Sequence, residues 1–436
     1  MKFCRKAQIA LLLCLIMLLP VGLSLAGCSS GQQTPPKDIP PDQKSVDLMK
    51  NIEAHAEHTG VDLRGERADP LINFSMCLMQ HSLDQEKNTL ISPLSVLYCL
   101  AMAANGTEGE TLSQMESVFG TSLEQLNDYL YAYRWKIPSQ EPVKLQLANA
   151  IWFKNGDDLI IKDSFLQTNA AWYGADAYKA PFNDYTLQEI NDWVHEKTDG
   201  TIDSIIDEIP PDALMYLVNA LAFDAEWSDI YKENQIDKGL FTSQNGEQRE
   251  VYMMYSREYC YLQDEQAVGF LKPYADNQYA FVALLPNEGV SVNDYVASLD
   301  GRHLKELLQN ASDDYMVTAT LPKFKSEYRT DLANALSAMG MTDAFHSERA
   351  NFSAMGSWKS ESLYISRVLH KAFLSVDERG TKAGAATAAE LKPGSAGPDP
   401  EKIKTVRLDR PFFYMVVDTK TFLPLFMGTV LDLEPC

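Results

Sequence analysis

The chain has 436 residues, 45% of them apolar, and a formal net charge of −22, which becomes −25 once a leader carrying Lys2, Arg5 and Lys6 is removed. Such an excess of acid excludes nucleic acid and an anionic membrane surface as electrostatic partners, and it suits solubility in an extracellular medium. The seven cysteines are scattered, with neither the even spacing of a disulfide framework nor the paired spacing of a zinc site.

The N-terminus is a processing segment. MKFCRK supplies a positive start, IALLLCLIMLLPVGLSL an apolar run, and Leu25-Ala26-Gly27-Cys28 resembles a bacterial lipobox, in which the cysteine thiol is acylated and becomes the new N-terminus. Residues 1–27 are therefore expected to be a lipoprotein signal peptide. Residues 28–65 are expected to be a lipidated, Pro-rich tether and lead-in, with lipid chains on Cys28 anchoring the protein to the extracellular face of the cell membrane or released by shedding. An uncleaved membrane helix is the alternative.

Residues 66–436 have the pattern of one mixed α+β domain built on a large sheet. DPLINFSMCLMQHSL carries apolar residues at helical spacing, with Asp69 as a cap and Pro70 in the first turn. SPLSVLYCLAMAANG repeats the signature with Ser92 as cap and Pro93 at the first helical position, and Thr111 is suited to cap TLSQMESVFG. Cys77 and Cys99 fall inside these helical patterns as buried thiols. KLQLANAIWFK, MYLVNALAFDAEW and QYAFVALLP read as strands, LQEINDWVHEKTDGTI as an amphipathic helix closed by Gly200. VTATLPKFKSEY alternates like a strand, and RTDLANALSAMG is a helix stopped by Gly340.

Residues 380–398, GTKAGAATAAELKPGSAGP, have the composition of a linker yet lie between the apolar runs VLHKAFLSV and RPFFYMVVD. The tract also has a period of two. Thr381, Ala383, Ala385, Thr387, Ala389 and Leu391 are uncharged, whereas Lys382, Glu390 and Lys392 fall on the other parity. Side chains alternate across a strand, so the tract can lie in a sheet with one face buried and every charge outside.

Motifs of catalysis are missing: the chain has no GxSxG, HExxH, GxxxxGK[ST] or paired CxxC. His55 and His58 lack a third ligand, His195 lies among charges on a helix surface, and His370 sits in an apolar run as a core histidine. The sequons at Asn73, Asn105, Asn310 and Asn351 carry no weight in a bacterial lipoprotein. No cofactor, metal or enzymatic activity is expected.

The chain resembles the serpin family from about residue 66 to its end. The segments that carry the resemblance occur in one order: NTLISPLSVLYCLAMAANGTEGET, INDWVHEKTDGTI, LVNALAFDAEW, LKPYADNQYAFVALLP, LPKFKSEYRTDLANALSAMGMTDAF, VLHKAFLSVDERGTKAGAATA and RPFFYMVVDTKTFLPLFMGTV. The resemblance implies three sheets, about nine helices and an exposed reactive-centre loop, here about 378–408. In inhibitory members a protease cleaves the loop, forms an acyl-enzyme and is trapped when the loop inserts into the central sheet.

Position by position, the resemblance implies a hinge at Glu378, Gly380, Thr381, Ala383, Ala385 and Thr387. It implies a shutter of Ser92, Pro93, Ser95, Asn219 and His370, and a breach of Trp227, Lys323 and Glu378, with Lys323 paired to Glu378. Lys382 departs from the acid usual in the family, but faces outward by parity. Counting from the hinge places the reactive bond at Gly394–Ser395. The loop is about six residues longer than is common, so Ser395–Ala396 and Ala396–Gly397 stay open.

The expected function is irreversible suicide-substrate inhibition of an extracellular elastase-like or subtilisin-like serine protease by a monomer, through a covalent complex. The alternatives are a non-inhibitory serpin-fold binding protein and an inhibitor of a papain-like cysteine protease.

Overall fold

A computed structural model describes residues 43–54, 61–210, 213–358, 363–381 and 400–436. The described residues fold around an eight-stranded sheet: β1 (Val46–Asp47), β2 (Ser139–Gln140), β3 (Val143–Lys154), β4 (Asp176–Ala180), β5 (Met215–Glu226), β6 (Phe324–Asp331), β7 (Arg367–Val376) and β8 (Gly380–Thr381). Their order is β1-β4-β3-β5-β8-β7-β6, with β2 paired to the start of β3. A six-stranded sheet runs Cys260–Gln263, Ala267–Pro273, Tyr279–Pro286, Phe412–Asp418, Pro424–Val430, Thr89–Ile91. A four-stranded sheet runs Ile403–Arg407, Met316–Pro322, Gln248–Glu258, Ile236–Thr242, and a two-stranded ribbon joins Gly356–Trp358 to Leu159–Ile161.

Nine α-helices lie among the described residues: α1 (Asp69–Ser82), α2 (Pro93–Ala104), α3 (Gly109–Phe119), α4 (Leu123–Arg134), α5 (Asp163–Tyr173), α6 (Asp184–Lys197), α7 (Val292–Ser298), α8 (Gly301–Gln309) and α9 (Ala333–Ala338). This is the α+β architecture expected, with three main sheets and one small ribbon more. Every residue of α2 is buried, as its unbroken apolar run requires, and it packs under the central sheet. α6 covers the opposite face, where Ile190, Trp193 and Val194 meet Ala148, Ala150, Trp152, Tyr216, Val218 and Ala220. The central sheet is thus buried on both faces, which explains why β3 and β5 read as near-continuous apolar runs with only partial alternation.

Local expectations hold at several ends. The Ser92 hydroxyl accepts the Ser95 N–H with Pro93 following, and α6 is closed by Gly200 at φ +71°, whose N–H donates to His195 O at 2.8 Å. Others are corrected. Ala68, not Asp69, is the N-cap of α1; Asp69 sits inside the first turn and pairs with Lys305. Thr111 lies inside α3, which starts at Gly109, and its hydroxyl accepts the Asn351 N–H. VTATLPKFKSEY is two strands in two sheets, because Pro322 and Lys323 turn the chain from the four-stranded sheet into β6. Cys77 is half-buried whereas Cys99 is fully enclosed, and the thiols of Cys77, Cys99, Cys260 and Cys436 are free. His55 and His58 lie outside the described residues; His195 is on the surface beside Asp203.

Candidate functional site

The site is a seam in the central sheet. β5 and β7 run parallel and pair directly from Tyr216↔Arg367 to Leu221↔Ala372. Above that they separate, and β8 lies between them, antiparallel to both: Gly380 is opposite Glu226, Thr381 opposite Ala225 on one side and Val376 on the other. The chain leaves β7 through a tight turn in which Asp377 Oδ1 accepts the N–H groups of Arg379 (2.8 Å) and Gly380 (3.2 Å), an Asp-centred turn of the usual kind. β8 thus enters the sheet between β5 and β7, with Thr381 the last residue described before residue 400.

Gly380 is glycine because of space, not because of a left-handed backbone. It is not among the positive-φ residues, and a Cβ there would run into Ala225 O and sit 2.8 Å from Glu226 Cα. All of these atoms are backbone of β5, so no soft neighbour can yield. Thr381 is fully buried, with its hydroxyl 2.6 Å from the Tyr274 hydroxyl. Ala383, Ala385, Thr387 and the bonds at Gly394, Ser395, Ala396 and Gly397 lie outside the described residues, as does Cys28.

The top of the seam is built around Trp227. Its ring stacks on Tyr274 (4.6 Å between centroids, 13° between planes) and meets Phe281 edge-on, its Nε1–H donates to Asp377 O (2.9 Å), and its N–H donates to Arg379 O (2.8 Å). Glu378 forms an ion pair with Lys323 at 2.5 Å. Burial raises the Glu378 carboxyl, but the Lys323 hydrogen bond and charge outweigh it and hold the group below its ordinary value. Arg379 pairs with Glu226 at 3.1 Å.

Beneath Trp227 lies a group of residues that sequence reasoning missed. Lys272 and Glu258 form a buried ion pair at 2.9 Å, their side chains 2% and 7% exposed. The Lys272 ammonium lies 4.5 Å from the centre of the Tyr231 ring and 5.5 Å from that of Trp227, and it donates to Asp229 O. Ser256 donates to Glu258 at 2.6 Å, and the Tyr231 N–H donates to Glu378 O. A lysine inside the apolar run GFLKPY was the only signal in the sequence, and nothing there named its partner.

Lower down, Asn149 on β3, Asn219 on β5 and His370 on β7 stand side by side in register. The Asn219 amide donates to Asn149 Oδ1, the Ser92 N–H donates to His370 Nε2 at 3.1 Å, and the Ser92 hydroxyl donates to Leu425 O at 2.7 Å. Asn219 Oδ1, His370 Nδ1 and Ser95 Oγ have no hydrogen-bond partner among the described residues. Each of the two facing side chains is tied away from the other, so no side-chain bond between them must break for β5 and β7 to part. Asn149 was not foreseen.

His370 is fully buried, and desolvation lowers its pKa from 6.5 to about 4. The imidazole is neutral at pH 7, with Nε2 the acceptor and the proton on Nδ1. Because the folded value is depressed, the unfolded chain takes up the proton first as pH falls. Stability present above pH 6.5 is therefore lost progressively down to pH 4, by about 3 kcal/mol in all. The wild type should show that slope in its unfolding midpoint between pH 7 and 4. A His370→Asn variant should be flatter by a comparable amount; equal slopes would show that His370 does not titrate.

The family description "Serpin (serine protease inhibitor)" matches residues 70–433. A serpin-like protein of Thermococcus kodakarensis is 28% identical over 431 residues, covering 96% of this chain and 98% of its own. Among solved structures, the thermophilic serpin tengpin in its native state aligns with a TM-score of 0.84 at 45% identity, covering 89% of this chain and all of that one. Tengpin in its latent state aligns at 0.75 with 43% identity, covering 87% of this chain and all of that one. By TM-score the present structure is nearer to the native than to the latent form of that protein. With the family match spanning residues 70–433 and the same fold in these solved structures, the chain belongs to the serpin family of serine protease inhibitors.

Proposed function

We propose that this protein irreversibly inhibits an extracellular serine endopeptidase as a suicide substrate. The observation that carries the reading is β8: Gly380 and Thr381 already lie between two strands that touch only below them. Insertion of the tract that follows adds a central strand, pairs its backbone donors and acceptors and buries one face. The small uncharged residues at the parity of Thr381 suit that burial. The nucleophile of the reaction belongs to the target protease.

The reactive bond is placed at Gly394–Ser395, with Ser395–Ala396 and Ala396–Gly397 next. Small residues after Pro393 and Leu391 match an elastase-like or subtilisin-like enzyme. Incubation with subtilisin or pancreatic elastase is expected to give an adduct that survives SDS, with the released peptide starting at Ser395 by mass spectrometry. Cleavage of the loop without an adduct would overturn inhibition and leave a serpin-fold binding protein. Adduct formation with papain alone would move the target to cysteine proteases.

We further propose that Cys28 carries the lipid that holds the domain at the outer face of a bacterial membrane. Mass spectrometry of the mature N-terminus is expected to find acylated Cys28; an unmodified chain beginning elsewhere would refute the anchor.

A further inference from the structure

Lys272 and Glu258 bring charge to the place where the three main sheets meet. Lys272 lies on the strand Ala267–Pro273 of the six-stranded sheet, Glu258 ends a strand of the four-stranded sheet, and the segment 227–231 follows β5 of the central one. A buried ion pair stabilises a fold no more than well-packed apolar residues of similar volume do. The consequence of this pair therefore lies in what the ammonium orders.

It orders the segment 227–231. The start of that segment hangs on backbone bonds: the Ala275 N–H donates to Glu226 O at 2.9 Å and the Ser228 N–H to Pro273 O at 3.1 Å. The rest is held from side chains. Lys272 Nζ donates to Asp229 O at 3.2 Å and lies over the Tyr231 ring. The Tyr231 hydroxyl is 3.3 Å from Ser256 Oγ, which donates to Glu258.

The segment in turn holds the turn between β7 and β8 at three successive carbonyls. The Trp227 Nε1–H donates to Asp377 O at 2.9 Å, the Tyr231 N–H to Glu378 O at 2.8 Å, and the Trp227 N–H to Arg379 O at 2.8 Å. Gly380 follows directly, already paired with Glu226. One ammonium thus reaches Trp227, Asp229 and Tyr231, and through them the backbone from which the tract enters the sheet.

We propose that Lys272 is a positioning residue for loop insertion: its charge fixes residues 377–379 as a pivot, so that the tract starts in the gap between β5 and β7. The part that concerns trapping rests on the inhibitory reading above, whereas the placing of the turn does not. Insertion and hydrolysis compete for the acyl-enzyme, so a loosened pivot raises the fraction of inhibitor that is cleaved without trapping.

The double variant Lys272→Met with Glu258→Leu removes the ammonium and leaves no buried charge behind. Amide hydrogen exchange at Trp227 and Tyr231 is expected to speed at least about tenfold in it, a local opening without global unfolding. Titration of subtilisin should show a stoichiometry of inhibition about threefold to thirtyfold higher, the factor that a desolvated cation on an aromatic face supplies. Leu336→Ala opens a cavity in α9, beyond the end of β6 far from the turn, and should lower stability with the stoichiometry unchanged. Wild-type exchange or wild-type stoichiometry in the double variant overturns the proposal, as does an equal rise in Leu336→Ala. If the double variant does not fold, Lys272→Ala set against Leu336→Ala makes the same comparison. A wild type that forms no adduct sinks the inhibitory reading alone, and the exchange measurement then decides whether Lys272 places the turn.

Discussion

Thr381→Arg is expected to turn the inhibitor into a substrate: the loop is cleaved, but the protease escapes. Thr381 is the first residue of the inserting parity and is fully buried between Ala225 and Val376, with its hydroxyl on Tyr274. Its immediate surroundings are apolar and aromatic, since Tyr274 is stacked on Trp227 and meets Phe223 edge-on. A guanidinium there has no carboxylate to meet, because Glu226 is already paired with Arg379. Burying such a charge costs several kcal/mol, so the substituted side chain is expected to leave the seam in the uncut protein and has to be buried there again when the loop inserts. Each 1.4 kcal/mol added to the barrier slows insertion tenfold, so hydrolysis of the acyl-enzyme wins, and the stoichiometry of inhibition should rise by more than an order of magnitude. Thr381→Ser keeps the size and the hydroxyl and should inhibit as the wild type does. Lys382→Glu, on the outward parity, should also be silent. Titration of residual protease activity against inhibitor measures all three, and undiminished trapping by Thr381→Arg would sink the parity argument.

Removing Lys272 should cost a large part of the stability of the fold. Lys272→Ala leaves Glu258 buried with only Ser256 to bond it, at an expected cost of about 3–5 kcal/mol. It also strips the cation from the faces of Tyr231 and Trp227. These are the residues that grip the turn between β7 and β8, since the Tyr231 N–H donates to Glu378 O and the Trp227 indole to Asp377 O. The loss should therefore appear at the seam as well as in the midpoint of denaturant unfolding. The double change Lys272→Met with Glu258→Leu removes both charges and is expected to recover most of the loss, because an apolar pair of similar volume needs no desolvated partner. If single and double variants are equally destabilised, packing of the lysine stem and not the charge pair carries the effect.

Much of this molecule was legible in one dimension because its signals are local. Ser92-Pro93 specifies a helix start wherever it is placed, Gly200 a helix stop, and apolar runs such as MYLVNALAFDAEW a strand buried on both sides. The period of two in the tract after Gly380 is also a property of the chain itself. Helix starts without a strong cap were harder: Asp69 and Thr111 both have capping side chains, but tertiary bonds to Lys305 and Asn351 use them instead. The alternation of VTATLPKFKSEY could not show that Pro322 divides it between two sheets, since pattern reports the face of a residue and not the identity of its sheet.

Sequence alone determined the fold class and the family resemblance, because each rests on neighbouring residues and their order. Tertiary structure decided which residues pack along the seam. Tyr274 meets Thr381 across 107 positions, Asn149 meets Asn219 across 70, and Lys272 meets a glutamate in another sheet. It also supplied the reason for Gly380, where a Cβ would meet the backbone of Ala225 and Glu226. Contacts between strands distant in the chain depend on register and on depth of burial, and neither is written in the spacing of residues along it.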